Sequence, residues 1–298
     1  MKKIVKAALW SLLSLGELII IVIFEINSLP VGSSIAGLLA GLTIPYMITS
    51  IEDIFDDSNW KESQRKYERG KFIRKEDKIR LSFAYLFRIK IDNEYFLVQN
   101  ARGTGKYQPV GGVYKMKPEE AVVLRQKYSA SDDDKIPIDE SSKLDYRIWV
   151  PDRFLRKFVR RFDKTNDREQ IENLSREFKE ELIDSGLVHF NRLCYRYCGR
   201  HFEKIQFSQH FRCYELLMAD ILEVELDPEQ ENELKRLKRM SSEQYLFATA
   251  EQINSLGIKA GTDQLQEIIA DHTSKILQEN TQKLIRTSNY KKKYVVDL

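Results

Sequence analysis

Residues 7–24, AALWSLLSLGELIIIVIF, and residues 31–51, VGSSIAGLLAGLTIPYMITSI, decide the fold at the start of this chain. The first run carries a single charge, Glu17, and the second carries none. Each run approaches the roughly 20 apolar residues that an α-helix needs to cross a bilayer. The connector Asn27 to Pro30 is too short to be anything except a turn. The sequence therefore predicts a transmembrane helical hairpin over residues 1–51.

The charges beside the two runs indicate how such a hairpin is oriented. Lysines precede the first run, and a basic cluster follows the second: Lys2, Lys3 and Lys6, then Lys61, Arg65, Lys66, Arg69 and Lys71. By the positive-inside rule, both ends of the chain are expected to be cytoplasmic. The alternative is a cleaved signal peptide, but no small-residue cleavage pattern ends the first run and a second apolar run follows directly.

Two features of the hairpin exceed what a membrane anchor requires. Ser33, Gly37 and Gly41 recur every fourth residue, a spacing that lets another helix approach closely. This ridge predicts packing either within the hairpin or between copies of the chain, and hence a homo-oligomer. Glu17 lies inside the first span, where a carboxylate is costly. It is expected either to be a neutral acid that is hydrogen-bonded to the neighbouring helix or to act in oligomerisation or ion passage.

The length and charge of the rest of the chain limit which classes of protein it can belong to. After the hairpin, residues 52–77 are charged and weakly periodic, as in a linker, and residues 78–298 suffice for one sizeable domain. The 298-residue chain has 48 basic and 45 acidic residues, a net charge of only +3. This balance excludes a strongly basic duplex nucleic-acid binder.

Three cysteines and two histidines raise the question of a zinc site: Cys194, Cys198, Cys213, His201 and His210. Cysteine and histidine are the usual zinc ligands, but this spacing fits no standard zinc motif. We therefore interpret the cysteines as buried or half-buried thiols in a reducing compartment.

Alternating and helical patterns predict the order of elements in the second part of the chain. A strand hairpin is expected at Ile79 to Ile91 and Tyr95 to Val98, followed by a flexible turn at Gly111-Gly112. Further predicted elements are a helix from Pro118 to about Tyr128, a strand from Tyr146 to Val150, a helix from Pro151 to Phe162 and a long helix from about Thr262 to Ile285.

The segment with the most chemical character is a predicted helix from about Arg168 to Ser185. It contains Arg176-Glu177-Phe178-Lys179-Glu180-Glu181. Residues four apart share a helix face, so Glu177, Glu180 and Glu181 could converge on a hard cation such as Mg²⁺. The alternative is a solvated face, since runs of charge are usually exposed.

Arginines in the following strands form a candidate ligand surface. Arg192, Arg196 and Arg200 alternate with tyrosines on one predicted strand, and Arg212 follows on the returning strand. Guanidinium groups bind phosphates in a bidentate manner, and aromatic rings stack on bases. The alternative is a solvent-facing outer sheet. The full candidate ligand set is Arg102, Gly111, Gly112, Arg176, Arg192, Arg196, Arg200 and Arg212.

From about Lys78 onward, the order of motifs resembles the Nudix family. The glycine turn Gln108-Pro109-Val110-Gly111-Gly112 and the helix carrying Arg176, Glu177, Glu180 and Glu181 match its two hallmarks. The resemblance implies an α+β protein, with a divergent α/β/α domain and a mixed sheet after the hairpin. It also implies that these glutamates hold Mg²⁺ for attack on a nucleoside diphosphate linkage. No other cofactor is implied.

The match departs from that family in two places. A Nudix box is compact, whereas more than 50 residues separate Gly112 from Arg176, so an insertion is predicted at about 113–167. Ile183 stands where a glycine is expected two residues beyond the glutamate pair. Both departures disturb the geometry needed for three-carboxylate coordination and favour ligand binding over hydrolysis.

The combination of two spans and an insertion-bearing Nudix-like domain resembles SMODS-associated Nudix proteins with two transmembrane helices, which belong to bacterial CBASS antiphage systems. That resemblance implies an effector in the inner membrane. A cyclic nucleotide made by a CD-NTase would bind the cytosolic domain, and the hairpin would then disrupt the membrane lipid and cause abortive infection. Two rival hypotheses are a membrane-anchored Mg-dependent Nudix hydrolase and an anchored interaction domain without a small ligand.

Overall fold

The computed structural model describes residues 2–55, 59–100, 105–136, 139, 142–258 and 266–298. The chain divides into two compact units, Met1–Glu62 and Ser63–Leu298.

The first unit is a pair of helices, α1 (Lys2–Ile26) and α2 (Pro30–Phe55), joined by a tight turn. Their apolar stretches, Ile4–Ile26 and Pro30–Ile51, contain 23 and 22 residues. At a rise of 1.5 Å per residue, each is roughly 33–35 Å long, which exceeds the ~30 Å hydrocarbon core of a bilayer. The prediction of two helices long and apolar enough to cross a membrane is confirmed.

The two helices contact each other through small, hydroxyl and aromatic side chains. Ala36 and Ala40 are buried, and the Trp10 and Tyr46 rings stack with centroids 5.1 Å apart. Large aliphatic side chains point outward instead, and Leu38 is 73% exposed. Such an arrangement suits an apolar solvent, in which helices associate through small residues and polar contacts rather than through a hydrophobic core.

The second unit is built on two β-sheets. Twelve strands are assigned among the described residues: β1 (Lys78–Arg88), β2 (Lys90–Ile91), β3 (Glu94–Gln99), β4 (Tyr107–Gln108), β5 (Gly111–Val113), β6 (Ser131–Asp132), β7 (Arg147–Pro151), β8 (Arg192–Phe202), β9 (Gln206–Ser208), β10 (Cys213–Val224), β11 (Tyr245–Thr249) and β12 (Lys293–Asp297). The larger sheet has the order β12-β8-β10-β1-β7-β6, with β5 beside β1 and β9 beside β10. The smaller sheet has the order β11-β3-β2, with β4 beside β3.

The larger sheet is mixed, because β1 pairs parallel with β10 and antiparallel with β5 and β7. The helices around the sheets are α3 (Trp60–Arg69), α4 (Pro118–Tyr128), α5 (Asp152–Lys164), α6 (Arg176–Phe178), α7 (Pro228–Lys238) and α8 (Ala250–Asn254). A π-helical turn, Lys179–Ile183, continues α6, and 3₁₀ turns lie at Ile171–Asn173, Asp271–Ile276 and Gln278–Lys283. The predicted α+β class with a mixed sheet is confirmed.

The segment predicted to be an insertion, 113–167, is part of the central sheet. Its strand β7 pairs with the first half of β1, from Lys78 opposite Pro151 to Ser82 opposite Arg147. Helix α5 then packs its aromatic side chains on β1, with the Phe162 and Phe83 rings 4.8 Å apart. Strand β7 and helix α5 of this segment therefore belong to the core of the second unit.

Part of the segment predicted to be a linker, 52–77, is fixed to the sheet. The Gln64 side chain donates a hydrogen bond to Asp152 Oδ1 at 2.7 Å, and the Ile205 backbone N–H donates to Ser63 Oγ at 2.8 Å. Both contacts lie within the second unit. From Ser63 onward, helix α3 is held by side-chain contacts on two sides.

Two predicted helices differ from the structure. The helix expected from Arg168 begins only at Arg176, because the Arg168 guanidinium donates to the Phe162 carbonyl and stacks on that ring at 4.0 Å. The helix expected at 262–285 is wrong over its described part, 266–285, which contains two 3₁₀ turns; residues 262–265 lie outside the described residues. Buried Arg88 explains the latter difference, since it donates to the carbonyls of Ile276 and Leu277.

Candidate functional site

The glycine turn forms strand β5 at the edge of a cavity. Gly111 lies opposite Leu86 and Gly112 opposite Tyr85 on β1. Gly111 has a φ of +151°, and a Cβ atom there would lie 2.3 Å from the Tyr85 carbonyl oxygen. Only glycine satisfies both the backbone conformation and this close approach.

The glutamate helix widens immediately after its first turn. Phe178 and Leu182 are fully buried and anchor it, while the Asp184 N–H donates to the Lys179 carbonyl five residues earlier at 2.9 Å. This i to i+5 bond defines a π-helical turn, a feature frequent at functional sites. The turn changes the angular spacing of the glutamates from that of a regular α-helix.

Two of the three predicted glutamates meet the glycine turn. The Gly111 N–H donates to Glu181 Oε2 at 3.1 Å. Glu177 lies against Gly112 so closely that a Cβ atom there would be 1.9 Å from Glu177 Oε1. Glu180 lies at the rim, with its side chain 54% exposed. The structure therefore brings Gly111, Gly112, Glu177 and Glu181 together.

Arg176 holds this arrangement in place. Its guanidinium donates to Glu169 Oε1 at 2.8 Å, to Glu177 Oε1 at 2.5 Å and to the Val113 carbonyl at 3.1 Å. Charge-assisted hydrogen bonds of this kind are stronger than neutral ones. Arg176 thus links the helix to the strand that carries the glycines.

Burial changes the acidity of both inner glutamates. Burial, and after it the nearby charge of Glu177, raises the pKa of Glu181 from 4.5 to about 8. Burial also raises the pKa of Glu177, although the Arg176 charge opposes the shift. At neutral pH, Glu181 is therefore mainly protonated, which avoids two adjacent carboxylate charges.

We expect this protonation to give the protein a measurable pH dependence of stability. The folded-state pKa of Glu181 lies above its ordinary value of 4.5. The protonated Glu181 side chain therefore makes its full contribution to the free energy of unfolding below pH 4.5, and this contribution is lost as pH rises through about 8. Glu181→Gln should therefore gain stability relative to the natural chain between pH 6 and pH 9, as measured by thermal unfolding in detergent. A pH profile of Glu181→Gln that runs parallel to the profile of the natural chain would contradict the assignment.

The site opens into a cavity of about 1040 Å³ within the second unit. Apolar residues from β1 and β10 form part of its wall, including Ala84, Leu86, Leu217 and Ala219. Amide side chains line it as well: Gln99, Asn100, Gln108, Gln206 and Gln244. A volume of roughly 300–1,000 Å³ is typical of small-molecule sites.

The cavity contains more carboxylates than cations among its described lining residues. Three basic side chains, Arg147, Arg176 and Lys275, face eight acidic ones: Asp139, Asp145, Glu177, Glu180, Glu181, Glu203, Glu215 and Asp271. The cations make ion pairs, such as Lys275 Nζ with Glu203 Oε1 at 2.6 Å and Arg147 Nη2 with Asp145 Oδ2 at 3.6 Å. An anionic ligand therefore has to exchange places with carboxylates that already occupy these cations.

A family model described as the SMODS-associated NUDIX domain matches residues 78–277, about two-thirds of the chain. The chain belongs to this family. The matched segment contains the glycine turn, the glutamate helix and every described residue that lines the cavity. Searches of curated proteins and of solved structures gave no significant match.

The carboxylates of this SMODS-associated NUDIX domain do not fit a three-ligand Mg²⁺ site. Across the described ranges, no three His, Cys, Asp or Glu side chains are grouped closely enough to hold a metal ion. Glu177 is bonded to Arg176, Glu181 accepts from Gly111, and Glu180 lies outward at the rim. Cys194, Cys198 and Cys213 are free thiols, and within the described ranges none of them belongs to a group of three side chains that could hold a zinc ion.

Four predicted ligand residues of the SMODS-associated NUDIX domain lie outside the cavity lining. Arg192 pairs with Asp227 at 3.6 Å, Arg196 pairs with Glu223, and exposed Arg212 lies in the turn after β9 rather than on a strand. Arg200 is the fourth of these residues and lies in the core. Arg102 falls outside the described residues.

Arg200 is buried because a β-bulge changes its side of the sheet. Tyr197 lies opposite Leu222 and Gly199 opposite Ile221, so Cys198 is an extra residue in β8. Arg200 consequently bonds Asp220 through Nε at 2.8 Å and Nη2 at 3.0 Å. Its guanidinium is occupied by a carboxylate and is not presented to a phosphate.

Several cavity residues escaped prediction from sequence. Arg147 lies in a predicted strand but carries no pattern that distinguishes it from an ordinary surface residue. Lys275 and His272 line the cavity from a 3₁₀ turn in a segment predicted to be a long helix. Only the fold brings these distant segments beside the glycine turn.

The helix pair that precedes the SMODS-associated NUDIX domain places its predicted assembly residues on two faces. Ser33 is 8% exposed, and its hydroxyl donates a hydrogen bond to Glu25 within the pair. Ala36 and Ala40 are buried on the same face. Gly37 and Gly41 face outward, and a Cβ atom on either would meet nothing within 4 Å. The ridge is therefore split between a face used inside the pair and an outer face.

Glu17 accepts a hydrogen bond from the neighbouring helix. Thr43 Oγ1 donates to Glu17 Oε2, and Ser14 Oγ donates to Thr43 Oγ1 at 3.2 Å. This geometry matches the expectation that the neighbouring helix supplies a partner for the carboxyl group.

Proposed function

We propose that this protein is a ligand-gated effector of the bacterial inner membrane in a CBASS antiphage system. A cyclic nucleotide made by a CD-NTase binds the cavity, and the helix pair then assembles into homo-oligomers that disrupt the membrane and cause abortive infection. One observation carries the proposal: a SMODS-associated NUDIX domain with a ligand-sized cavity shares a chain with two helices of membrane-spanning length.

The chemistry of the cavity supports a nucleotide ligand. Amides present both donors and acceptors, which suits the edges of bases, and the five amide side chains supply them in one cavity. Phosphates require cations, and Arg147, Arg176 and Lys275 are the candidates. The Lys275 pair with Glu203 is 2.6 Å long and partly exposed, so a phosphate can replace Glu203 as the partner of Lys275.

The proposed orientation places both ends of the chain in the cytoplasm. The lysines before the first apolar run, residues 7–24, and the basic residues after the second run support this topology by the positive-inside rule. The turn between the helices would then lie on the periplasmic side.

The proposed output is assembly rather than bond cleavage. A ligand that favours a self-associating conformation raises the effective concentration of the helix pairs. The outward Gly37 and Gly41 then offer a surface where helices of different copies approach closely.

The test is leakage of a dye from liposomes that contain the full chain, with and without a panel of cyclic nucleotides. We expect leakage with the cognate nucleotide only. Intact liposomes despite measurable nucleotide binding would overturn the proposed output, and absence of nucleotide binding would leave the interaction-domain hypothesis.

Glu181→Gln separates this function from the rival Nudix hydrolase. Because Glu181 is mainly protonated at neutral pH, glutamine is close to it in both shape and charge. We expect the variant to retain ligand-dependent leakage at pH 7, as measured by the same assay. If the natural chain turns nucleotide over, and Glu181→Gln abolishes this turnover while nucleotide binding is unchanged, the protein is instead a hydrolase.

A further inference from the structure

Four aromatic rings form a continuous strip on the second unit. Phe72 lies 6.3 Å from Tyr67, Tyr67 lies 4.9 Å from Tyr214, and Tyr214 lies 5.3 Å from Phe207. These residues, here called the aromatic strip, come from helix α3, the turn after it, and strands β9 and β10. The strip is separate from the cavity, since none of its members lines it.

The ends of the aromatic strip are open to solvent. Phe72 is 66% exposed and Phe207 is 44% exposed. The strip is also firmly supported, because Ser63 and Gln64 of α3 are bonded to Ile205 and Asp152. A fixed, exposed row of aromatic rings calls for a partner that is apolar on one side and polar on the other.

Basic residues are concentrated in the segment that contributes Tyr67 and Phe72 to the strip. Between Ser63 and Lys75 there are six basic residues and one acidic residue, Glu68. The next two carboxylates are engaged, since Glu76 pairs with Arg153 and Asp77 accepts from the Arg74 backbone N–H. Exposed Lys204 and Arg212 flank β9 and add to the basic character.

The length of the chain limits how far this strip can be from a bilayer. Twelve residues lead from Ile51, the end of the second apolar stretch, to Ser63. Even fully extended they span at most about 40 Å. If α2 crosses the membrane, this connection keeps the strip on the side with excess positive charge and is short enough for the strip to reach the headgroups.

We propose that the aromatic strip docks on the headgroup region of an anionic bilayer. Phe72 and Phe207 insert at the boundary between headgroups and acyl chains, and the surrounding lysines and arginines bind anionic headgroups. Tyrosine and other aromatic side chains favour this boundary, and each nearby cation adds attraction to an anionic surface. The proposal rests on the membrane insertion assumed in the proposed function, but not on nucleotide binding.

The test uses the full chain in nanodiscs of phosphatidylcholine and phosphatidylglycerol, with and without brominated acyl chains that quench tryptophan. Tryptophan is introduced by Phe72→Trp and by Phe207→Trp, and the natural chain provides the background. The matched control is Val122→Trp, since Val122 is an apolar residue of α4 that is 50% exposed. Bromine should quench about half of the added emission at positions 72 and 207, because docked side chains lie ~5–10 Å deep. It should quench little at position 122.

The natural Trp10 distinguishes a failure of strip docking from a failure of membrane insertion. The quenching of Trp10 itself is obtained by subtracting the bromine-quenched emission of the Trp10→Phe variant from that of the natural chain. If Trp10 is quenched but positions 72 and 207 behave like position 122, the docking proposal is overturned and membrane insertion stands. If Trp10 is not quenched, insertion itself fails.

Two further measurements identify what covers the aromatic strip. Replacing phosphatidylglycerol by phosphatidylcholine, or adding about 0.5 M NaCl, should reduce quenching at positions 72 and 207 if anionic headgroups contribute. An emission shift at these positions that depends on protein density and not on bromine would show that a second copy covers the strip, and would overturn lipid docking.

Discussion

Asp220→Ala should lower the free energy of unfolding of the full chain by about 3–5 kcal/mol, because it leaves the buried Arg200 without its main partner. Asp220 is completely buried and accepts from the Arg200 guanidinium and from the hydroxyls of Tyr114 at 2.7 Å and Tyr197 at 2.8 Å. Thermal or denaturant unfolding in detergent measures the loss. A change below about 1 kcal/mol would contradict this account of the cluster.

The matched control is an ion pair on the surface of the same unit. Arg125 and Asp132 are 2.9 Å apart, but both side chains are more than half exposed. Asp132→Ala should therefore cost less than about 1 kcal/mol. Burial alone would raise the pKa of Asp220, but Arg200 and the two hydroxyls hold the pKa below its ordinary value. The contribution of Asp220 is therefore present above its ordinary pKa and is lost as pH falls through the lowered value.

The double variant Gly37→Leu, Gly41→Leu should reduce ligand-dependent leakage about tenfold or more, since a loss of ~1.4 kcal/mol in association already gives that factor. Both glycines face outward with open space around them, so leucine fits within one helix pair but keeps a second pair at a distance. Liposome leakage measures the effect, and nucleotide binding should stay unchanged.

The control variants lie on the two other faces of α2. Ala36→Leu, Ala40→Leu adds bulk to the buried face and should separate the helix pair itself, which lowers its thermal stability. Leu38→Ala changes an exposed apolar residue and should retain leakage. Full leakage from the glycine variant would show that the outer face takes no part in assembly.

The sequence predicted the parts of the fold that depend on local patterns. Apolar length was enough to predict both N-terminal helices, and alternation and proline placed α4 and β1. The glycine turn and the glutamate motif were recognisable because their residues and their order resemble the Nudix family. These signals reside within short windows of the chain.

The predictions that failed depended on contacts between distant segments. An extra residue at Cys198 turns Arg200 into the core, and no strict alternation of strand residues contains that information. Arg88 binds the carbonyls of the segment after residue 275 and replaces the expected helical bonds. The charge balance of the cavity likewise arises only when β7, the end of β8 and the 3₁₀ turn Asp271–Ile276 come together.

Strand β7 joins two surfaces that are far apart in the sequence. Arg147 at its start lines the cavity, and the residue after its end, Asp152, accepts from Gln64 of helix α3. They lie only five positions apart in the sequence, an extended distance of roughly 17 Å. Any displacement of this one strand would therefore move the cavity side chain Arg147 and the Asp152 acceptor of helix α3 together.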